Sequence, residues 1–478
     1  MKRSNRQGLA IALAILLLVG GVLLSWLTHG RGVVRDDPKR NISLPKTLTV
    51  PLQVRAAYNA EKIFVNYRWP ADRPGLFHDV LVYEGGRWVV KGRATPGSQP
   101  DGMHEDRVAM MLDDGGVPEF ARYGGYITVG DGILTFTNEA SEDAVKAHPY
   151  LGGKLKQEEV SKSLPGTRSD INDWASLRSE EVLGAQRRAG YFLDLWHWRS
   201  HRANPIGMSD DQMVAEVRGG DDGKSAAGTN WDGERQQPRL MFDAAAVGHK
   251  ALQWADVVAG RIDQESVYYL VEGQAVPFDP QAGWVEGDTL PRRFLRQPEG
   301  SKADITVQGK GRWADGHWDV TLSRALDTGH PLDDKILRDH GLYDVAFAIH
   351  RHATGGRWHY VSLPMSLGLG RDADIVAMQF DVAEPTWSGP GREVTLFYPG
   401  QVSWPHLHSK AHAGAEAIAR RLPVHTRHSV EQLKHYGIEV EFAQEMRRQW
   451  LWTLWSGLAL ILGIGFALNM ALAQRRGA

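Results

Sequence analysis

Tyr343–Pro364 reads YDVAFAIHRHATGGRWHYVSLP. Two alternating runs flank Gly355-Gly356, the pattern of a β-hairpin closed by a two-residue turn. Side chains on a strand alternate faces. Val345, Phe347 and Ile349 therefore share one face, and Ala346, Ala348, His350 and His352 the other. With Gly355-Gly356 as the turn, residue 352 pairs with 359 and residue 350 with 361. His350, His352 and His359 then converge on one patch, because opposed side chains lie about 4.5–5.5 Å apart at Cβ. A one-residue bulge breaks the arrangement.

Such a patch has three uses. His-x-His with a third histidine across the ladder is a donor set for a metal that keeps one position open for water. Alternatively one imidazole is an axial haem ligand, and the small Ala346 and Ala348 leave room for a flat macrocycle. The third use is structural, a histidine-rich hairpin satisfied by solvent or backbone.

The rest of the chain has the same turn-rich texture. Among 478 residues there are 52 Gly, 23 Pro and 17 Trp, with 42% hydrophobic and 23% charged residues. That is a globular composition with many short apolar runs, as in a β protein. A net charge of −2 gives no footprint for a nucleic-acid partner. The chain has no cysteine, which excludes disulfides, Cys-held iron–sulfur clusters and covalent c-type haem.

Both ends carry membrane-length apolar runs. Residues 9–27, LAIALAILLLVGGVLLSWL, follow the basic residues Lys2, Arg3 and Arg6 of a short 1–8 tail. The positive-inside rule places that tail in the cytoplasm. SWLTHGRG lacks a small-x-small cleavage site, so the run reads as an uncleaved anchor. Residues 450–473 form a second span, with Trp450, Trp452 and Trp455 as an interfacial belt and Arg475 and Arg476 in a cytoplasmic tail, 474–478. Everything between, beyond a polar linker at 28–45, is then expected on the periplasmic side of a bacterial inner membrane.

Residues 46–405 read as one β domain, an antiparallel β-sandwich. HDVLVYEGGRWVVKGRA is a second hairpin with a Gly-Gly turn. Residues 139–190 are charged and helical in pattern and read as an insertion. Residues 406–449 read as a helical stalk; its His408 and His412 share a helix face without a third ligand. RGGDDGKS ends like a phosphate loop, but Arg218 stands where the first glycine is needed. The Asp113-Asp114 and Asp221-Asp222 pairs sit beside glycines and read as solvated turns. Ser43-x-x-Lys46 holds Pro45 and starts no catalytic helix.

Four segments in order, HEDRVAMMLDDGGVPEF, YFLDLWHWRSHRANPIGMSDDQ, GRWADGHWDVTLSRAL and the opening hairpin, resemble the haem-binding domain of the ethylbenzene dehydrogenase γ subunit. Relatives of that domain serve dimethyl-sulfide, selenate and chlorate enzymes and occur in multi-domain cytochromes. The resemblance spans roughly residues 45–400. It implies a β-sandwich that holds one haem b and passes electrons in the periplasm, with a redox protein or molybdoenzyme as partner. It implies an electron-transfer or accessory subunit rather than a stand-alone enzyme. In that branch a Met and a Lys hold the iron. The Lys position matches His359, itself a competent ligand. The Met position matches Val129 in TVGDG, which cannot ligate iron. Substitutes are Met110, Met111 and His197, the last sharing a strand face with Leu193, Leu195 and Arg199, and more distantly Tyr126. With no iron, the fold remains as a haem-free binding module.

Overall fold

The computed structural model describes residues 49–92, 105–127, 141–351 (apart from 159, 161, 171 and 172), 359–397 (apart from 388) and 443–476, together with most of 12–23. The chain divides into two units, residues 1–36 with 439–478, and residues 37–438.

The larger unit is mainly β. Its principal strands are β1 (Thr49–Tyr58), β2 (Lys62–Pro70), β3 (Arg107–Asp113), β4 (Leu193–Arg199), β5 (Asp210–Val214), β6 (Arg218–Gly220), β7 (His317–Ala325), β8 (Leu342–His350), β9 (His359–Ser362), β10 (Met365–Leu369), β11 (Ile375–Gln379) and β12 (Arg392–Phe397). They belong to one 14-stranded sheet that runs β7-β2-β1-β11-β10-β8-β3-β4-β5-β6, with β9 joined to β8 and β12. The expectation of a purely antiparallel sheet is corrected: β11 pairs in parallel with both β1 and β10. Residues between β11 and β12 return the chain antiparallel to β1, so both directions meet at that strand.

Alternation along the strands explains how this sheet buries itself. Tyr67 and Trp69 of β2 meet residues of the other half across the interior: the Tyr67 hydroxyl donates to Met110 Sδ at 3.4 Å, and Tyr67 packs edge-on to Phe347. Trp69, Trp198 and Trp318 form an aromatic cluster, with ring centroids 5.1–6.2 Å apart. Trp318 Nε1 donates to Asp106 Oδ2 at 2.7 Å, so the ring is buried with its polar atom satisfied. In β3, β4 and β8 the residues Val108, Met110 and Leu112, Trp196 and Trp198, and Val345, Phe347 and Ile349 face this interior. The residues between them face a second, smaller apolar cluster on the outer side of the sheet.

Gly85 and Gly86 form a two-residue turn, with Glu84 opposite Arg87 and φ of 59° and 78° at the glycines. Those positive φ values at both central positions are what a twisted hairpin of this kind requires. In the opening hairpin the register is His350↔His359 and Ala348↔Val361. The expected 352–359 and 350–361 pairs are thereby corrected, while residues 352–358 lie outside the described residues.

Between residues 141 and 190 the described chain is largely helical, with α-helices at Glu142–Ala147 and Glu180–Arg188. Each starts on a serine cap, Ser141 or Ser179, whose hydroxyl accepts a backbone N–H three residues on. The proposed stalk at 406–449 lies outside the described residues up to 442.

In the other unit, the helix Ala443–Arg476 contains Trp450–Met470, long and apolar enough to cross a membrane. Its 21 residues rise about 30 Å, the thickness of a bilayer hydrocarbon core. Trp450, Trp452 and Trp455 are exposed at one end, as are Ile461, Leu462 and Phe466 along its length. The described residues between 12 and 23 are helical, and Leu17 and Gly21 pack on Gly463 and Leu460.

Candidate functional site

The outer face of β4-β3-β8-β9 forms a ladder of four-residue rows. Arg199, Arg107, His350 and His359 are in register across the four strands. The next row is His197, Ala109, Ala348 and Val361. Below it stand Leu195, Met111 and Ala346. Alternation places all of these on one face. The lower rows make an apolar floor with small residues at its centre, and Val117, Phe120 and Leu164 pack onto it. The short helix Gly124–Ile127 approaches it closely: a side chain at Gly124 would meet Ala346 and Pro364, and one at Gly125 would meet Val361 and Met111. Tyr126 lies on this helix.

The upper end is a line of imidazoles. The rings of His350 and His359 stack at 5.1 Å and 23°, and those of His197 and His350 at 6.3 Å and 30°. All three are at least nine-tenths buried. His352 and Val129 lie outside the described residues. Among the described residues, the groups whose ligand atoms converge within 4.8 Å are Asp304–His330–Asp334 and Asp194–Asp211–Asp334, and the histidine line is not one of them.

Protons on His197 follow from its neighbours. Its Nδ1 receives N–H groups from Arg218 Nη2 at 2.7 Å and Arg199 Nη2 at 3.2 Å. A guanidinium only donates, so Nδ1 is the bare nitrogen and Nε2 carries the hydrogen. Burial, and then the charges of Arg199, Arg218 and Arg107, hold its pKa well below the ordinary histidine value. His197 is thus a neutral imidazole whose Nε2–H is buried and has no hydrogen-bond partner among the described residues. In this tautomer Nε2 is a hydrogen-bond donor, and iron would need the opposite one, with Gln212 Oε1 at 3.4 Å as the acceptor for Nδ1–H.

Cations frame the same end. Arg199 pairs with Asp210 at 2.5 Å, and Arg218 is fixed by Gln212 Oε1 at 2.8–3.0 Å. Arg107 lies 3.5 Å from Glu105 Oε1. Burial opposes ionisation of Glu105, yet Arg202, Arg107 and Arg199 hold its carboxyl below the usual range. Lys162 stands near Arg218, and burial pushes it down to about 7.

The other sequence candidates separate by face. Met111 is on the floor; Met110 is one residue out of phase and points into the interior against Tyr67. Within RGGDDGKS, Arg218 and the following glycines form β6, while Asp222, Gly223, Lys224 and Ser225 are exposed. Asp113 and Asp221 are buried, correcting their reading as solvated turns. Asp113 Oδ2 accepts the Gly115 and Val117 N–H groups, and Oδ1 faces Lys335 Nζ at 3.1 Å. Sequence reasoning named His197 and Arg199 as sharing a face but missed the role of Arg107 and Arg218. Alternation along RVAMMLD puts Arg107 in phase with Met111, which was a usable signal; Arg218 required the register of a third strand.

A family model described as ethylbenzene dehydrogenase matches residues 31–362 of the chain. The chain is also similar to the cytochrome c-552 of Stutzerimonas stutzeri, 40% identical over 83 residues. That stretch is 17% of this chain and 27% of the cytochrome, so the chain spans about a quarter of that relative's length.

Proposed function

Because the chain belongs to the ethylbenzene dehydrogenase family, we propose that its β domain binds haem b and relays electrons at the periplasmic face of a bacterial inner membrane. The observation that carries the reading is the buried line His197–His350–His359 at the edge of a small-residue apolar floor. Haem requires an imidazole or comparable ligand, apolar walls and cations for its propionates. Each requirement has residues in one place here.

In this reading His359 would hold the haem iron, at the position where the resemblance expects a ligand. Ala109, Ala346, Ala348 and Met111 form the wall. His197, as a fixed neutral donor, and Arg107, Arg199 and Arg218 receive the propionates. The bound group supplies a one-electron redox centre, and the protein sets its potential through the ligand, the burial and the surrounding charge. Without cysteine the haem is held non-covalently. The apolar helix Trp450–Met470 anchors the domain, with the N-terminal run as second anchor and both termini cytoplasmic. The redox partner is a periplasmic protein or molybdoenzyme.

The test uses the full chain, exported and purified in detergent with haem supplied. We expect a Soret band and a b-type pyridine haemochrome at one haem per chain. His359→Ala abolishes or shifts the band, whereas His197→Gln keeps it. A colourless protein after haem supplementation overturns the reading and leaves a binding module. Stoichiometric zinc without haem moves the histidines to a metal site. An unchanged spectrum in His359→Ala removes that residue from the iron.

A further inference from the structure

On the opposite face of β4 from the histidines lies a buried set of carboxylates drawn from four segments. Asp194 stands on β4, Asp211 on β5, Asp221 directly after β6, and Asp334 in the loop after β7. All four are at least 97% buried. One carboxylate oxygen from each of Asp194, Asp211 and Asp334 lies within 4.8 Å of the others. Asp221 stands beside this group rather than within it, its carboxyl near those of Asp334, Asp333, Asp194 and Asp211.

Among the described residues, Arg324 is the cation bonded to this group, and Lys335 also acts on Asp194. Arg324 Nη1 donates to Asp194 Oδ2 at 2.6 Å and to Asp334 Oδ1 at 2.9 Å, and Nη2 donates to the Lys335 carbonyl. The Lys335 N–H also reaches Asp194 Oδ2 at 3.0 Å. These bonds use one oxygen of Asp194 and one of Asp334. Among the described residues, Asp194 Oδ1, Asp334 Oδ2 and both oxygens of Asp211 and of Asp221 are buried without a hydrogen-bond partner. Buried carboxylates persist when they are paired, protonated or bound to a metal. One guanidinium cannot neutralise four of them. In the absence of further charge, burial and then mutual repulsion raise the affinity of Asp211, Asp221 and Asp334 for protons.

We infer that Asp194, Asp211, Asp221 and Asp334 form a binding site for one divalent cation, calcium by preference. Six free carboxylate oxygens match the six to eight oxygen ligands that calcium takes. Calcium takes oxygen donors at about 2.3–2.6 Å in flexible geometry and suits a set of buried carboxylates, whereas magnesium needs a strict octahedron and retains water. No nitrogen or sulfur donor stands in the set, which disfavours zinc. The ion ties β4, β5, the end of β6 and the loop after β7 into one clamp. Nothing in the haem reading requires it, so the two fail separately.

The test is metal analysis and calcium titration of the full chain in detergent. We expect about one calcium per chain, retained through desalting and removed by EGTA. Removal lowers the melting temperature by several degrees, and calcium restores it where equal magnesium does not. Asp211→Asn and Asp221→Asn each weaken calcium binding at least about tenfold. Asp304→Asn, in the neighbouring Asp304–His330–Asp334 group, leaves it unchanged. If an Asn variant does not fold, titration of the EGTA-treated parent decides. A chain that holds no divalent ion, with a melting temperature indifferent to EGTA and calcium, overturns the inference in favour of shared protons. Loss of binding in Asp304→Asn alone overturns the assigned residues. The Soret band of haem-loaded protein reports independently on the other face.

Discussion

Strand β4 serves two unlike environments through strict alternation. Its outward residues, Leu193, Leu195, His197 and Arg199, look onto an apolar floor framed by imidazoles and guanidiniums. Its inward residues, Asp194, Trp196 and Trp198, look onto the aromatic core and the carboxylate set. One face concentrates positive charge and bare or donor nitrogens; the other concentrates negative charge. The separation is a single β-sheet thick. A cofactor carrying propionates belongs on the first face and a hard cation on the second, and neither would be tolerated on the other.

The hardest way to break this division is to remove the cation that makes the acidic face tolerable. Arg324→Met retains the aliphatic stack over Trp196, whose ring the guanidinium covers at 4.8 Å, but strips the charge from Asp194 and Asp334. Removing one partner of a buried pair destabilises by about 3–5 kcal/mol. Chemical denaturation of the full chain should show that loss, larger in EGTA than in calcium. If Arg324→Met unfolds at the parental midpoint, the acidic face is not held by this residue.

Which of these features could be read beforehand follows from what alternation does and does not determine. The faces of Ala346, Ala348 and His350, and of Leu193, Leu195 and His197, were legible because a period of two is written in the residues themselves. The hairpin register was not. The observed pairing differs from the expected one by a slip of two residues, and an even slip leaves every side chain on its own face. At Gly85-Gly86 alternating residues continue up to the glycines and the turn closes there; Gly355-Gly356 lie outside the described residues, and the described pairs fix the register without them. Parallel pairing through β11 was equally hidden, since no local pattern distinguishes it in so short a strand. The carboxylate set is assembled from positions 194, 211, 221 and 334, and no spacing rule links them. Its one visible trace was an aspartate in phase with two tryptophans inside LDLWHW.

A second test separates the faces by pH. His201, next to the β4 end, is buried among Phe77, Tyr268, Glu105, Arg202 and Arg293, and its Nδ1 accepts the His78 N–H at 3.0 Å. Burial, partly opposed by Glu105, brings its pKa down to about 4. The unfolded chain binds this proton near pH 6.5 and the folded chain only near 4, so the unfolded state carries more protons between those values. Stability from His201 is complete above about pH 6.5 and falls as pH drops toward 4, by an amount on the order of 2–3 kcal/mol. His201→Asn keeps an acceptor for His78 and should flatten that acid limb in denaturation midpoints measured from pH 7 to 4. An unchanged slope would move the acid sensitivity to other buried groups.

The finest discrimination is between two adjacent methionines. Met110 meets Tyr67 in the interior, and Met111 faces the floor beside Ala346 and Leu195. Leucine replaces methionine at nearly equal volume, so each substitution should cost under about 1.5 kcal/mol. Their stability effects are too alike to tell the faces apart, and the spectrum must do it. In haem-loaded protein Met111→Leu should change the Soret maximum or the rate of haem loss to apomyoglobin, because the side chain borders the proposed cofactor. Met110→Leu, separated from that surface by the sheet itself, should leave both as they are. Equal spectral changes in the two variants would mean that the floor is not the cofactor's wall, and the division of β4 into a cofactor face and a core face would have to be redrawn.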